Sequence, residues 1–168
     1  LGFTVNSVYL LIYYISFTSS GLGAYLLAMK LNLSYLGGFV SGLIYMFSPY
    51  ALIVAWVPVY GMTFPFYCFL PLGLYFFVRF LLGFNLKERI FSILGASIFF
   101  MGASYANPAF FVVFIGLVTL VAIFFIILKP SGTKISSKVL IINYLAFCGL
   151  YGLLNAFWLI PFVFNLGY

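Results

Sequence analysis

Seven Lys and Arg residues and a single Glu carry all the formal side-chain charge of this chain. They sit in or beside short links between long uncharged apolar stretches. That placement constrains the fold more than any other feature. A hydrocarbon core of ~30 Å is crossed by about 20 residues at 1.5 Å per residue, and the uncharged stretches are on that scale. Charged residues are 5% of the sequence, against roughly 25% in soluble domains. With 67% of its residues hydrophobic, a soluble globule could not cover its surface without aggregating. The sequence therefore predicts an all-α, polytopic integral membrane bundle.

Polar and proline punctuation divides the chain into about six transmembrane spans in one domain. The first is 8–29, ended by Lys30 and the link through Asn32 to Ser34. Ser34 is the N-cap of a second, short span at 34–47. Ser48-Pro49 should end it, because proline lacks an N–H and pushes its predecessor out of the helical region. Residues 49–61 should then lie along the interface. Span 63–82 carries Pro65 in its first turn, where proline is tolerated, and Pro71 is a candidate kink. Spans 86–105, 108–128 and 139–160 follow, the last stopped by Pro161.

The basic residues fix an expected orientation. With the N-terminus of the segment outside, the inner links hold Lys30, then Arg79, Lys87 and Arg89, then Lys129, Lys134 and Lys138. The outer links hold no charge, which is a positive-inside pattern. The net charge of +6 then reports topology in a cell membrane rather than a nucleic-acid partner. The Asn32-Leu33-Ser34 sequon would face the cytoplasm and stay unmodified.

Missing residue types exclude much chemistry. With no His, two Cys and one acid, the chain offers no ligand set for zinc, copper, haem or an iron–sulfur cluster. It also offers no Ser–His or Cys–His pair and no pair of carboxylates. No catalytic residue, metal site or cofactor is evident within it. Cys68 and Cys148 fall inside spans and read as small hydrophobes. Gly38 with Gly42, and Gly21, Gly23, Ala24, Gly95 and Ala96, have the spacing of close helix packing.

The outer ends hold the candidate site. Three outward-running spans end near a polar–proline break, at Ser48-Pro49, Asn107-Pro108 and Asn155 ahead of Trp158 and Pro161. Tyr45, Tyr50, Trp56, Tyr60, Tyr105 and Trp158 stand at the same level. Such rings form either an interfacial belt or a recess in which helices that stop short expose backbone to a cavity. A neutral, ring-lined recess suits a lipid-linked or sugar-like ligand rather than an ion. By depth alone, Trp56, Tyr60 and Asn107 belong to it.

Gly23-Ala24-Tyr25-Leu26-Leu27, Lys30-Leu31, Leu33-Ser34, and Gly42 with Tyr45 and Phe47-Ser48-Pro49-Tyr50 form a pattern. It resembles the YfhO-like and arabinofuranosyltransferase-like branch of the GT-C membrane glycosyltransferases. Asn155-Ala156-Phe157-Trp158-Leu159-Ile160-Pro161 resembles a later helix end in that group. The resemblance implies a sugar transferase that uses a polyprenyl-phosphate donor at the outer membrane face. Ser48, Pro49 and Tyr50 would match the helix-end motif near the catalytic face, and Asn155 and Trp158 the later one. In that family the catalytic acid lies in an outer loop before the helix corresponding to 8–29, and no residue here occupies that place. The segment is therefore expected to be a fragment of a longer chain. A divalent metal would enter only if that outer loop supplied an acid.

Two other readings stay open. One is a non-catalytic accessory subunit packed against other membrane subunits. The other is part of a transporter, for which the polar residues within spans are Asn143, Thr119 and the Thr18-Ser19-Ser20 run. Membrane lipid is an expected partner in every case.

Overall fold

The computed structural model describes residues 5–49, 63–83, 85–104, 108–128 and 135–165. Six helices occupy the described residues: α1 (Val5–Lys30), α2 (Tyr35–Met46), α3 (Thr63–Leu82), α4 (Leu86–Ser104), α5 (Pro108–Leu128) and α6 (Ser137–Asn165). The proposed interfacial stretch after Pro49 lies outside the described residues.

Local chemistry sets the ends. At the end of α1, Leu33 N–H bonds to Ala28 C=O at 3.1 Å and Asn32 N–H to Met29 C=O at 3.1 Å. Asn32 has a φ of 67°, so this is a Schellman stop with asparagine in the left-handed position usually taken by glycine. Two residues later the Ser34 hydroxyl accepts from Gly37 N–H at 3.1 Å and starts α2. Asn85 Oδ1 accepts from Lys87 N–H at 3.1 Å at the start of α4, where Glu88 also complements the helix dipole.

The sixth helix departs from expectation. It begins at Ser137 and runs through Pro161 to Asn165, so this proline does not stop it. A proline deprives one upstream carbonyl of its donor. Upstream of it, Asn155 Nδ2 bonds the Tyr151 carbonyl and Asn155 Oδ1 accepts from Trp158 Nε1, and the Trp158 ring packs on Phe111 of α5. Pro71 likewise lies inside α3.

The second helix has 12 residues, about 18 Å, too short for a full crossing. In α4, Lys87, Glu88 and Arg89 occupy the first turns. Among the described residues, three helical segments are long and apolar enough to cross a membrane: Leu10–Lys30, Ala109–Leu128 and Ser137–Pro161. Large apolar side chains such as Val112, Leu120, Ile127 and Leu153 are exposed on their outward faces. Exposure on that scale calls for lipid or protein cover.

Packing centres on α3, which lies against α1 and most extensively against α4. Small residues permit the close crossings. A Cβ built on Gly42 of α2 would stand 2.8 Å from the Gly21 carbonyl oxygen of α1, and one on Gly23 would stand 2.7 Å from the Leu72 backbone nitrogen of α3. A Cβ on Gly73 would meet the Phe100 ring at 2.4 Å. Without a hydrophobic force between helices in lipid, backbone approach of this kind supplies the association energy.

The core is aromatic. Phe77, Phe100, Phe114, Phe147 and Tyr151 are fully buried between α3, α4, α5 and α6. Ring contacts form a ladder from Phe77 to Phe147 at 4.9 Å, to Tyr151 at 5.7 Å, to Phe111 at 4.9 Å and to Trp158 at 5.6 Å. Trp158 is thus half-buried against Phe111, not standing clear as an interfacial anchor alone.

Candidate functional site

The expected site residues that are described, Ser48, Asn155 and Trp158, fall into two polar–aromatic clasps at the end of the bundle away from the described cations. In the first, the Tyr45 ring of α2 stacks on the Tyr67 ring of α3, with centroids 4.4 Å apart and planes within 7°. The two residues bond reciprocally. Tyr45 O–H donates to the Tyr67 carbonyl at 2.8 Å, and Tyr67 O–H donates to the Tyr45 carbonyl at 2.7 Å. The Tyr67 hydroxyl also lies 2.8 Å from Ser48 Oγ. Proline at position 49 has no N–H to give the Tyr45 carbonyl, which accepts instead from Ser48 N–H at 3.4 Å and from Tyr67 O–H. The clasp thus holds the prematurely ended helix to its neighbour.

The second clasp lies within α6. Asn155 is fully buried. Its Nδ2 donates to the Tyr151 carbonyl at 2.8 Å, and its Oδ1 accepts from Trp158 Nε1 at 2.9 Å. The Trp158 ring meets Phe111 of α5 edge-on. Ser48 therefore joins α2 to α3, whereas Asn155 and Trp158 belong to the α5–α6 side. The expected residues Tyr50, Trp56, Tyr60 and Asn107 lie outside the described residues.

The opposite end is basic. Arg79, in the last turn of α3, donates from Nε to Glu88 Oε1 at 2.8 Å. Arg89 bonds through Nη2 to Asn143 Oδ1 of α6, and its guanidinium lies 5.6 Å from the centre of the Phe80 ring. Asn143 is fully buried and donates from Nδ2 to the Leu81 carbonyl at 3.3 Å. Lys30 ends α1, Lys87 stands in the first turn of α4 and Lys138 in that of α6. Along α6, Asn155 follows Asn143 by about 18 Å, which separates the basic end from the second clasp.

Asn143 and Thr119, the polar residues weighed for a transport path, both join helices. Thr119 Oγ1 lies 2.7 Å from the Tyr144 hydroxyl across α5 and α6. Cys68 and Cys148 are free thiols. No group of three or more His, Cys, Asp or Glu is placed to hold a metal among the described residues.

Cavities between the described helices are apolar. One of about 310 Å³ lies between α1, α2 and α3, with Tyr45, Ser41 and Pro71 in its wall. A second of about 280 Å³ lies between α1, α3 and α5 and shares Leu27, Leu31 and Leu74 with the first. Ser48, Asn155 and Trp158 line neither.

Sequence reasoning missed Tyr67 and the Arg89–Asn143 pair. A tyrosine one turn into a proline-started helix has no local signature. The pair joins residues 54 positions apart, so no spacing rule reports it. One signal was available for Arg89: the chain holds a single acid, so most of its cations had to find other partners. Comparison of the chain with protein-family models, with curated proteins and with solved structures gives no match.

Proposed function

We propose that this chain forms the membrane core of a GT-C-like glycosyltransferase that takes a polyprenyl-phosphate-linked sugar at the outer membrane face. The observation that carries the reading is the short α2, ended at Ser48-Pro49 and clasped to α3 by Tyr45 and Tyr67. A helix that stops short of a crossing is stable in lipid only where its end lines a protein-enclosed or wet recess. Here that end carries neutral hydroxyls and rings, which suit sugar hydroxyls and an isoprenoid chain. Ser48, Tyr50, Trp56, Tyr60 and Asn107 contact donor or acceptor in this reading, and Asn155 with Trp158 holds the far wall. The N-terminus of the segment is outside and the basic end is cytoplasmic. The catalytic acid comes from residues this sequence does not hold.

The test is sugar transfer by the intact protein in membranes. Ser48→Ala, Tyr50→Phe and Asn155→Ala should each lower the transfer rate while the protein stays folded and membrane-inserted. Wild-type rates in all three would refute the assignment.

A second reading, an accessory subunit bound to other membrane subunits, is favoured by one observation. A Cβ placed on Gly116, Gly149 or Gly152 would meet nothing within 4 Å among the described residues, so α5 and α6 keep small-residue surface that no described helix covers. Stoichiometric co-purification with other membrane chains, and loss of it on Gly152→Leu, would support this reading over the enzymatic one.

A further inference from the structure

We infer that the Tyr45–Tyr67 clasp is a releasable latch. It holds the first turns of α3 against α2, with Pro71 as the pivot, and its release opens the wall of the cavity between α1, α2 and α3. The inference concerns motion within the bundle and stands whether or not the chain transfers sugar.

Its first support is the matching of hydroxyls to prolines. Pro71 lies inside α3, so the Tyr67 carbonyl, one turn upstream, receives no N–H from that position. Tyr45 O–H donates to this carbonyl at 2.8 Å. Pro49 stands in the same relation to the Tyr45 carbonyl, which accepts from Tyr67 O–H at 2.7 Å. Each tyrosine thus serves the carbonyl that a proline deprives of a donor in the other helix. A carbonyl left unsatisfied in apolar surroundings is costly, so the pair holds α2 and α3 together. Both bonds run through side chains, and they break without unwinding either helix.

The second support is a division of packing at Pro71. Before it, Cys68 is buried in a small cluster of its own with Tyr67 and with Tyr13 and Phe17 of α1. After it, Phe77, Val78, Phe80 and Leu81 belong to the aromatic core shared with α4, α5 and α6. Leu70 and the Phe69–Phe99 ring contact, at 5.6 Å, join the first turns to the core side. The pivot itself is pinned. A Cβ on Gly23 would stand 2.7 Å from the Leu72 nitrogen and 3.1 Å from Pro71 Cβ, and one on Gly73 would meet the Phe100 ring at 2.4 Å. A proline between a lightly packed segment and a pinned one is where a helix bends.

The third support is the cavity of about 310 Å³, whose wall includes Tyr45, Leu70, Pro71 and Leu74. One wall thus contains the latch, the pivot and residues on both sides of it. Withdrawal of Tyr45 from Tyr67 widens that cavity at its α2 side.

The test uses the intact protein in membranes, with N-ethylmaleimide uptake at each thiol followed by peptide mass spectrometry. The two thiols lie on opposite sides of the division: Cys68 is fully buried before the pivot, and Cys148 is half-buried on α6. Tyr45→Phe keeps the ring and removes the donor to the Tyr67 carbonyl; it should raise the Cys68 labelling rate about five- to tenfold and leave Cys148 within about twofold. Pro71→Ala keeps the Cβ beside Gly23 and returns a backbone donor to Tyr67. It should slow Cys68 labelling below the wild-type rate, and in that background Tyr45→Phe should change the rate by less than about twofold. Tyr144→Phe, which removes a hydroxyl contact between α5 and α6, should leave Cys68 within about twofold of wild type. Wild-type Cys68 labelling in Tyr45→Phe would overturn the inference, as would an undiminished effect of Tyr45→Phe beside Pro71→Ala. Equal increases at both thiols, or an increase at Cys68 in Tyr144→Phe, would show general loosening and overturn it too. If Tyr45→Phe does not insert, Pro71→Ala alone decides: slower labelling of Cys68 supports the latch, and an equal or faster rate refutes it.

Discussion

The α1–α2 crossing gives a sharp test of how the bundle is held. Gly42→Ala adds one methyl group at a point where a Cβ stands 2.8 Å from the Gly21 carbonyl oxygen. The obstacle is backbone of another helix, so no side-chain rotation relieves it. The two helices must separate by a few tenths of an ångström along their contact. Overpacking of this kind costs about 1–3 kcal/mol, and the better helix propensity of alanine returns up to about 1 kcal/mol. Gly149→Ala supplies the control, because a Cβ there meets nothing within 4 Å among the described residues and only the propensity gain applies. Subtracting one variant from the other removes the propensity contribution and leaves the steric cost, about 1–3 kcal/mol. Gly21→Ala should fall between them, since its nearest obstacle is the flexible end of Met46 at 3.0 Å. The assay is reversible unfolding in mixed micelles, followed by circular dichroism. If Gly42→Ala and Gly149→Ala differ by less than about 0.5 kcal/mol, backbone approach at this crossing is not what joins α2 to α1.

Other substitutions probe the remaining links. Tyr67→Phe removes the hydrogen bonds to the Tyr45 carbonyl and to Ser48 and should cost about 1–2 kcal/mol, measured by the same unfolding assay, with Ser48→Ala costing less. Asn32→Gly should be neutral and Asn32→Val should cost about 1–2 kcal/mol, because a β-branched residue resists the left-handed conformation that stops α1. Glu88→Gln should change stability by less than about 1 kcal/mol, since the pair with Arg79 is one-third exposed and screened. Asn143→Leu should cost more than Glu88→Gln, because it removes the buried acceptor of Arg89 and the donor to Leu81.

Much of the helix layout was legible in the sequence. The bounds of α3 at Thr63 and Leu82, the Ser34 cap and the shortness of α2 all follow from local rules on proline, hydroxyl caps and apolar run length. The sixth helix was misread at Pro161, because a local rule weighs the hydrogen bond lost at a proline and cannot see the packing of the same helix on its neighbours, such as Trp158 against Phe111 of α5. Gly21, Gly23, Gly38 and Gly42 were legible as packing residues, but not which partner each meets. In the candidate site, Ser48 was legible as a polar residue beside a proline break, and Asn155 as a polar residue toward the end of the last span. Tyr67, which bonds Ser48 from 19 positions away, was not.

Composition and the placement of charge determined the helical class, the helix positions and the collection of cations in few places, since these depend on hydration and backbone geometry within a few residues. Tertiary structure alone decided which neutral groups satisfy one another across helices. It paired Tyr45 with Tyr67, Asn143 with Arg89 and Thr119 with Tyr144. Hydrogen bonding acts only within a few ångströms, and in an aromatic, nearly chargeless chain many partners are chemically equivalent until close helix crossings choose among them.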